Sequence, residues 1–425
     1  MSEAPETGKW WEGISRYQWT VLAVAWLGWV FDIMDTALFV FAKTPMMVEL
    51  LGGQEQYAAR GPQIEGLIQT IFIIGWALGG FVFGLLADRW GRAKTMILTI
   101  LLYCLFTGLT ALCSTWEQVA AIRFLTALGI GGEWAAGAAL IAEVFPNRAR
   151  PAAAAILQTA AAIGPVLAAT FNLALADQSW RWLFVVGVLP AIITVFIRRN
   201  IREPERWVQE GQKGSAGATL RDLFTHRTWA RHALIAMLIG TVGVAGAGTV
   251  SYWLPNLIES ASSGLAKADV AARKSYGTYM LHLGTICGVF VFPWLAAKWG
   301  RKRSLMAAFI ASPISVWVAL YGGAGYTGLL LMAPLMSFFT IGLTAVFALY
   351  FPELFPTRMR ATGSGFAYNT ARILQSPLPW ITGILIGAEK SSPAHGVALA
   401  SLVYLVGLAV LPFAPETKGK PLPED

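Results

Sequence analysis

Gly84-Leu-Leu-Ala-Asp-Arg-Trp-Gly-Arg-Ala-Lys94 is a short polar turn set between two long apolar runs, and part of it occurs twice. Asp88 to Lys94 is echoed by Ala297-Lys-Trp-Gly-Arg-Lys-Arg303, with Trp90 matching Trp299 at a shift of 209 residues. A second stretch, Glu143-Val-Phe-Pro-Asn-Arg-Ala-Arg150, returns as Glu353-Leu-Phe-Pro-Thr-Arg-Met-Arg360 at a shift of 210. Two independent echoes at nearly one offset, about half the chain, predict a duplicated unit. The copies differ at one charged position: Ala297 stands where the first copy has Asp88, so the two turns are not expected to build a symmetric charge network.

The runs flanking these turns decide the fold class. Of the 425 residues 56% are hydrophobic and only 13% charged, whereas soluble domains carry about 25% charged residues. Crossing a hydrocarbon core of about 30 Å takes about 20 apolar residues in a helix. Such runs recur at 18–42, 64–87, 95–114, 118–143, 152–176, 181–198, 232–258, 276–297, 304–322, 327–352, 362–387 and 395–414. Barrel strands would alternate in polarity, and runs such as Ile97 to Cys113 do not. The expected fold is therefore an all-α membrane protein of twelve transmembrane helices in two six-helix pseudo-repeats. Residues 1–198 form the first bundle, 199–231 a polar linker and 232–425 the second bundle. The polar stretch Met1 to Arg16 precedes a span too long for a cleaved signal, so the first span is expected to stay in the protein.

A formal charge of +8 raises the question of nucleic acid. With the N-terminus inside, most of the 32 basic residues fall in the turns on the cytoplasmic side, and few, Lys43 among them, on the other. That is a positive-inside bias, and it leaves no nucleic-acid surface to explain. Cys104, Cys113 and Cys287 lie in spans without metal-ligand spacing. Nucleophile elbow, phosphate loop and metal-ligand cluster are all missing from the sequence, which argues against an enzyme and against a pump that burns ATP.

The 84–94 turn resembles the signature loop of the major facilitator superfamily between its second and third helices. Arg123-Phe-Leu-Thr-Ala-Leu-Gly-Ile-Gly-Gly-Glu-Trp134, the Glu143 motif and the tail Pro415-Glu-Thr-Lys-Gly-Lys-Pro-Leu422 are similar to the sugar-porter branch and its organic-anion relatives, the sialate and lactate proton symporters above all. The resemblance implies a secondary transporter that works by alternating access, with the proton as coupling ion and no cofactor. It also implies cytoplasmic latches around Asp88, Arg92, Glu143, Arg148, Arg301, Glu353 and Arg358. It makes a monomer in the inner membrane the expected state, with both termini cytoplasmic.

Ionisable groups in a bilayer core are costly and are functional candidates by default. The candidates are Asp32, Asp35, Arg123, Glu133, His282 and Arg372. Asp32 and Asp35, three residues apart, disfavour each other's ionisation, so one of them can carry a proton near neutral pH. At 1.5 Å per residue Asp35 lies about 25 Å along the first helix and Arg123 about 8 Å into the oppositely running fourth, so the two can meet. Asp35-Thr36-Ala37 with Arg123 matches the sugar-porter pattern, which implies Asp35 as the proton-coupling carboxylate and Arg123 as its modulator. The alternative is a static pair that locks the bundle.

Arg372 lies about 16 Å into its helix, close to the midplane, with no carboxylate within a turn on that helix. A substrate carboxylate would satisfy it, with Asn369 and Gln375 extending the polar face. A salt bridge to Glu133 is the alternative, and so is an amide-to-helix hydrogen bond for Gln158, which the family pattern places against substrate. Gly240 to Gly248, followed by Ser251-Tyr-Trp-Leu-Pro-Asn256, suits a helix that bends, with Tyr252, Trp253 and Asn256 lining a cavity or, for Trp253, an interfacial belt. His282 can relay protons or pack as a helix-to-helix donor.

The leading expectation is proton-coupled uptake of a small organic anion, such as a monocarboxylate or sialate. A sugar or polyol porter, a proton-antiport exporter and a non-transporting sensor are the alternatives.

Overall fold

The computed structural model describes residues 11–146, 149–189, 223–323, 325–356, 360–388 and 393–420. Every regular element among the described residues is helical. In the first half these are α1 (Arg16–Leu50), α2 (Gln54–Trp90), α3 (Arg92–Thr110), α4 (Trp116–Val144), α5 (Arg150–Gln158), α6 (Ala160–Ala174) and α7 (Arg181–Val186). The second half holds α8 (Arg227–Ser260), α9 (Lys267–Trp299), α10 (Arg301–Tyr321), α11 (Gly325–Thr340), α12 (Ala345–Glu353), α13 (Arg360–Gln375), α14 (Pro377–Ala388), α15 (Pro393–Ser401) and α16 (Val403–Val410). Among the described residues eight helical stretches are long and apolar enough to cross a bilayer, so the chain is a multi-pass membrane protein.

The duplication is visible in the backbone. Gly91 joins α2 to α3 with φ +114°, and Gly300 joins α9 to α10 with φ +103°. Both equivalent turns of the repeat thus take a left-handed joint that favours glycine. At the start of α1 the Ser15 hydroxyl accepts the Gln18 N–H at 3.2 Å while the Gln18 side chain accepts the Ser15 N–H at 2.8 Å, a reciprocal cap.

Within each half, helices approach through glycine. Gly75, Gly79 and Gly131 bring α2 onto α4, and Gly164 lies against the Val30 carbonyl where α6 meets α1. Between the halves α2 packs on α14 and α6 on α9. The α2–α14 contact is reciprocal. A Cβ on Gly66 would strike the Pro379 carbonyl, and one on Gly383 the Pro62 carbonyl, so the two Pro-x-x-x-Gly segments press backbone on backbone.

Buried apolar side chains divide unequally. At the end of the bundle where α1 finishes, hereafter the Leu50 end, one cluster runs through both halves, from Met34 and Ile68 to Trp253, Val316 and Val397. Toward the Arg16 end the described core separates into clusters confined to the second half, around Phe351, or to the first half, around Tyr103 and Phe145. Lipid-facing apolar residues such as Leu105, Phe290, Trp294 and Val406 are exposed, as a bilayer solvent requires.

Two expected boundaries are corrected, and one expected feature takes a different local form. The first span does not stop at 42: α1 continues to Leu50, which brings Lys43 from its expected place outside the span into a fully buried helix position. The glycines of the seventh span, expected to suit bending, here make room for aromatic rings. A Cβ on Gly243 would meet the Phe347 ring, and one on Gly246 the Tyr404 ring, and α8 runs unbroken. The breaks lie elsewhere, at Thr159 between α5 and α6, at Gly342–Thr344 between α11 and α12, at Ser376 and at Leu402. Most of the expected linker falls outside the described residues, and α8 begins at Arg227, inside its expected bounds.

Candidate functional site

Asp35 and Arg123 meet. The arginine Nη1 lies 2.8 Å from Asp35 Oδ2, and the Thr107 hydroxyl donates to Asp35 Oδ1 at 2.6 Å, which draws α1, α3 and α4 together. Both charged side chains are 0% exposed, so water does not screen the pair. The guanidinium also stacks on Phe39 and Phe72, 4.7 and 4.4 Å from the ring centroids. Its Nε and Nη2 have no hydrogen-bond partner among the described residues, so the arginine holds donor capacity in reserve. Asp32 is equally buried, one turn before Asp35.

A second buried ion pair was not expected. Lys43, two turns beyond Asp35 on α1, lies 3.4 Å from Glu65 of α2, both 0% exposed. The Tyr57 hydroxyl donates to Glu65 Oε1 at 3.0 Å and Asn256 Nδ2 to Oε2 at 3.2 Å. The lysine donates to the Tyr252 carbonyl at 3.0 Å and sits over the rings of Tyr252 and Trp253, 3.5 and 4.1 Å from their centroids. Tyr252 Oη donates to the Glu65 carbonyl at 2.7 Å, and Asn256 also reaches Thr44 Oγ1 at 3.3 Å. Tyr252 and Asn256 were expected to line a cavity; they are buried in this cluster. Trp253, at 0% exposed, is a core residue and not part of an interfacial belt. Glu65 lies inside the expected second span and was readable as an intramembrane carboxylate, whereas Lys43 was lost to the short reading of α1.

Arg372 projects from α13 between the halves, its guanidinium 4.6 Å from the Trp76 ring of α2 and 4.9 Å from the Tyr368 ring of its own helix. Asn369 faces the same neighbour: its Oδ1 would lie 3.7 Å from a Cβ on Gly80 of α2. Gln375 is turned away toward Gly248 of α8, so the three residues do not form one continuous face. The reason is the 100° step of the helix, which carries a residue six positions away off the stripe. Gln158 ends α5 at the break in the fifth span and is half-buried, bonded to no other described side chain. His282 is buried in α9 with its Nδ1 unpartnered among the described residues.

At the Arg16 end, Arg301 grips Glu353 bidentately, Nε to Oε2 at 3.0 Å and Nη2 to Oε1 at 2.7 Å. The chain tail joins this knot. Thr417 Oγ1 donates to Glu353 at 2.5 Å, and Glu416 accepts the backbone N–H groups of Arg301 and Lys302 at 3.0 and 3.1 Å. Burial works against the charge of Glu416, but the N–H groups of Lys418, Arg301, Lys302 and Thr417 outweigh it and hold the carboxyl below its ordinary range. Of the other expected latch residues, Arg148 and Arg358 lie outside the described residues, as do the side chains of Asp88, Arg92 and Glu143 and that of Glu133, the alternative partner expected for Arg372. Among the described residues no three His, Cys, Asp or Glu side chains converge as a metal site.

Residues 25–421 match the family model described as Major Facilitator Superfamily. A probable 4-methylmuconolactone transporter of Cupriavidus pinatubonensis is 30% identical, the match covering 96% of this chain and 93% of that protein. The sialic acid transporter NanX of Escherichia coli is 26% identical over 85% of each chain. Among solved structures a D-xylose–proton symporter superposes with a TM-score of 0.75 at 18% identity, covering 96% of this chain and 100% of that one. At that identity the likeness speaks for the fold.

Proposed function

Because this chain belongs to the Major Facilitator Superfamily and is a secondary transporter, not an enzyme, we propose that it takes up a small organic anion together with protons. The observation that carries the substrate class is Arg372. A permanent cation sits at the meeting of the two halves, over the ring of Trp76 from the opposite half. Guanidinium recognises carboxylate bidentately, and the interface of the repeats is where secondary transporters bind. A lactone-type acid and a sialic acid are the cargoes named for the two relatives, and both belong to that chemical class.

Asp35 is the proposed proton carrier. In the described arrangement its carboxyl accepts from Arg123 and Thr107; a proton taken up there would release the guanidinium, whose Nε and Nη2 are already without a hydrogen-bond partner among the described residues. Gln158, Asn369 and His282 are the proposed polar partners of the substrate. Gln375 and Asn256 support it indirectly, through the helices they touch.

The proposed orientation places both termini in the cytoplasm of the inner membrane, following the basic turns at the Arg16 end. The Leu50 end then faces outward, and the described arrangement is closed to the outside. The expected division at the 199–231 linker and the latch roles of the Asp88, Glu143 and Arg358 turns belong to the same reading.

The test is uptake of radiolabelled lactate, sialate, benzoate and xylose into energised vesicles at acidic and neutral outer pH. An acid should accumulate better at low outer pH, Asp35→Asn should exchange substrate without accumulating it, and Arg372→Gln should lose binding. Entry of xylose alone, with Arg372→Gln harmless, would make the chain a sugar porter with a structural arginine.

A further inference from the structure

Lys43 and Glu65 stand on α1 and α2, in one half, and so move together. Among the described residues every other partner of the ammonium belongs to α8, in the opposite half: the Tyr252 carbonyl and the rings of Tyr252 and Trp253. Glu65 has a donor of its own half in Tyr57, and its remaining bonds reach across to Asn256 and, through its carbonyl, to Tyr252. Parting the halves here would leave the ion pair and its Tyr57 donor intact and strip away the aromatic cage, the carbonyl cap and the bonds from Asn256 and Tyr252. The charges stay neutralised in either state, so the separation does not require a bare charge in the membrane.

The α8 side of the contact is incompletely satisfied. Trp253 Nε1 and Asn256 Oδ1 are buried and have no hydrogen-bond partner among the described residues, so they would gain water on opening. A cavity of about 600 Å³ at the same end of the bundle is lined by Phe41 and Pro45 of α1 and by Glu259 and Lys274, themselves an ion pair. Strong contacts to the cation opposed by two unsatisfied groups are what a closure that must also open requires.

We propose that Lys43 is the positioning residue of the outward gate, closing it by inserting its ammonium between the Tyr252 and Trp253 rings, with Glu65 as a counter-charge that it never leaves. This rests on the alternating-access reading above, but neither on its substrate nor on its proton.

The test uses the full chain in right-side-out vesicles, with Cys104 and Cys113 changed to Ala, Cys287 to Ser, and Thr249→Cys as reporter. Thr249 is buried one turn below Tyr252 on the same face of α8. The rate of labelling by a membrane-impermeant maleimide reads the outward-open population. Lys43→Met is expected to raise it about tenfold, a shift of one decade in a two-state equilibrium. Trp253→Leu, which leaves the ion pair in place, should raise it as well, and decides the matter if Lys43→Met fails to reach the membrane. The exchange Lys43→Glu with Glu65→Lys rebuilds attraction within the half but not the cage, so labelling should stay high. Unchanged labelling in Lys43→Met or Trp253→Leu, or a return to the low rate in the exchanged pair, would reduce the pair to a static brace. Because no substrate is added, failure of anion uptake and failure of this gate are separate results.

Discussion

Helix α1 carries two buried ion pairs two turns apart, and they solve different problems. Asp35–Arg123 is closed within one half: α1, α3 and α4 supply the carboxylate, its hydroxyl donor and its cation, and the rings against the guanidinium come from the same half. Lys43–Glu65 begins in one half and is completed by the other, through Tyr252, Trp253 and Asn256. The first pair is complete without the opposite half, and the second keeps its ion pair but not its cage without it. One helix thus carries a contact contained within a half and a contact shared between the halves.

The comparison is broken most severely by Arg123→Met, which leaves Asp35 buried with a hydroxyl for company. A loss of about 3–5 kcal/mol is expected, read as a fall in the unfolding temperature of the detergent-solubilised protein, because removing one partner strands the other. Asp35→Asn in the same background should recover most of it. Thr107→Val removes the 2.6 Å bond to the carboxylate and should cost about 1.5–3 kcal/mol, the range for hydrogen bonds to charged groups, with the labelling of Thr249→Cys unchanged. Tyr252→Phe keeps the ring over Lys43 and the capping carbonyl and loses only the bond to the Glu65 carbonyl. It should cost about 1 kcal/mol and shift labelling slightly, far less than Trp253→Leu.

The smallest effect lies outside the membrane. The carboxyl of Glu416 is held below its ordinary range, so its contribution to docking the tail is fully present above the unfolded-state value of about 4.3 and is lost as pH falls through the lower folded value. Protease cleavage of the tail should therefore be flat between pH 5 and 8 and rise in stronger acid. Glu416→Gln should cost less than about 1 kcal/mol and abolish that rise.

The fold was legible because a bilayer demands long apolar runs, and because the Trp-Gly-Arg turn is spelled out twice with the same left-handed glycine. The Asp35–Arg123 meeting was legible too, since helix rise alone sets both residues at one depth, while the rotation that makes them face each other came from the family pattern. Lys43 was not legible. A lysine followed by Thr44-Pro45 reads as the end of a span, and only Glu65, the Tyr252 carbonyl and two rings, gathered from helices far apart in sequence, keep it inside. The packing of α8 was illegible for a related reason: glycine permits bending, and only the structure shows that rings from α12 and α16 fill the space beside Gly243 and Gly246.

The reciprocal contact of Pro62 and Gly66 with Pro379 and Gly383 has a mechanical consequence. At Gly66 and Gly383 no Cβ stands between the two backbones, so this point of contact behaves as a bearing, able to roll where knobs in holes would jam. The bearing sits about a third of the way along a long lever: from Gly66 to Trp90, α2 extends about 36 Å at 1.5 Å per residue. A roll of about 10° there would sweep the far tip through about 6 Å, roughly the width of a small carboxylic acid, with almost no displacement at the bearing itself.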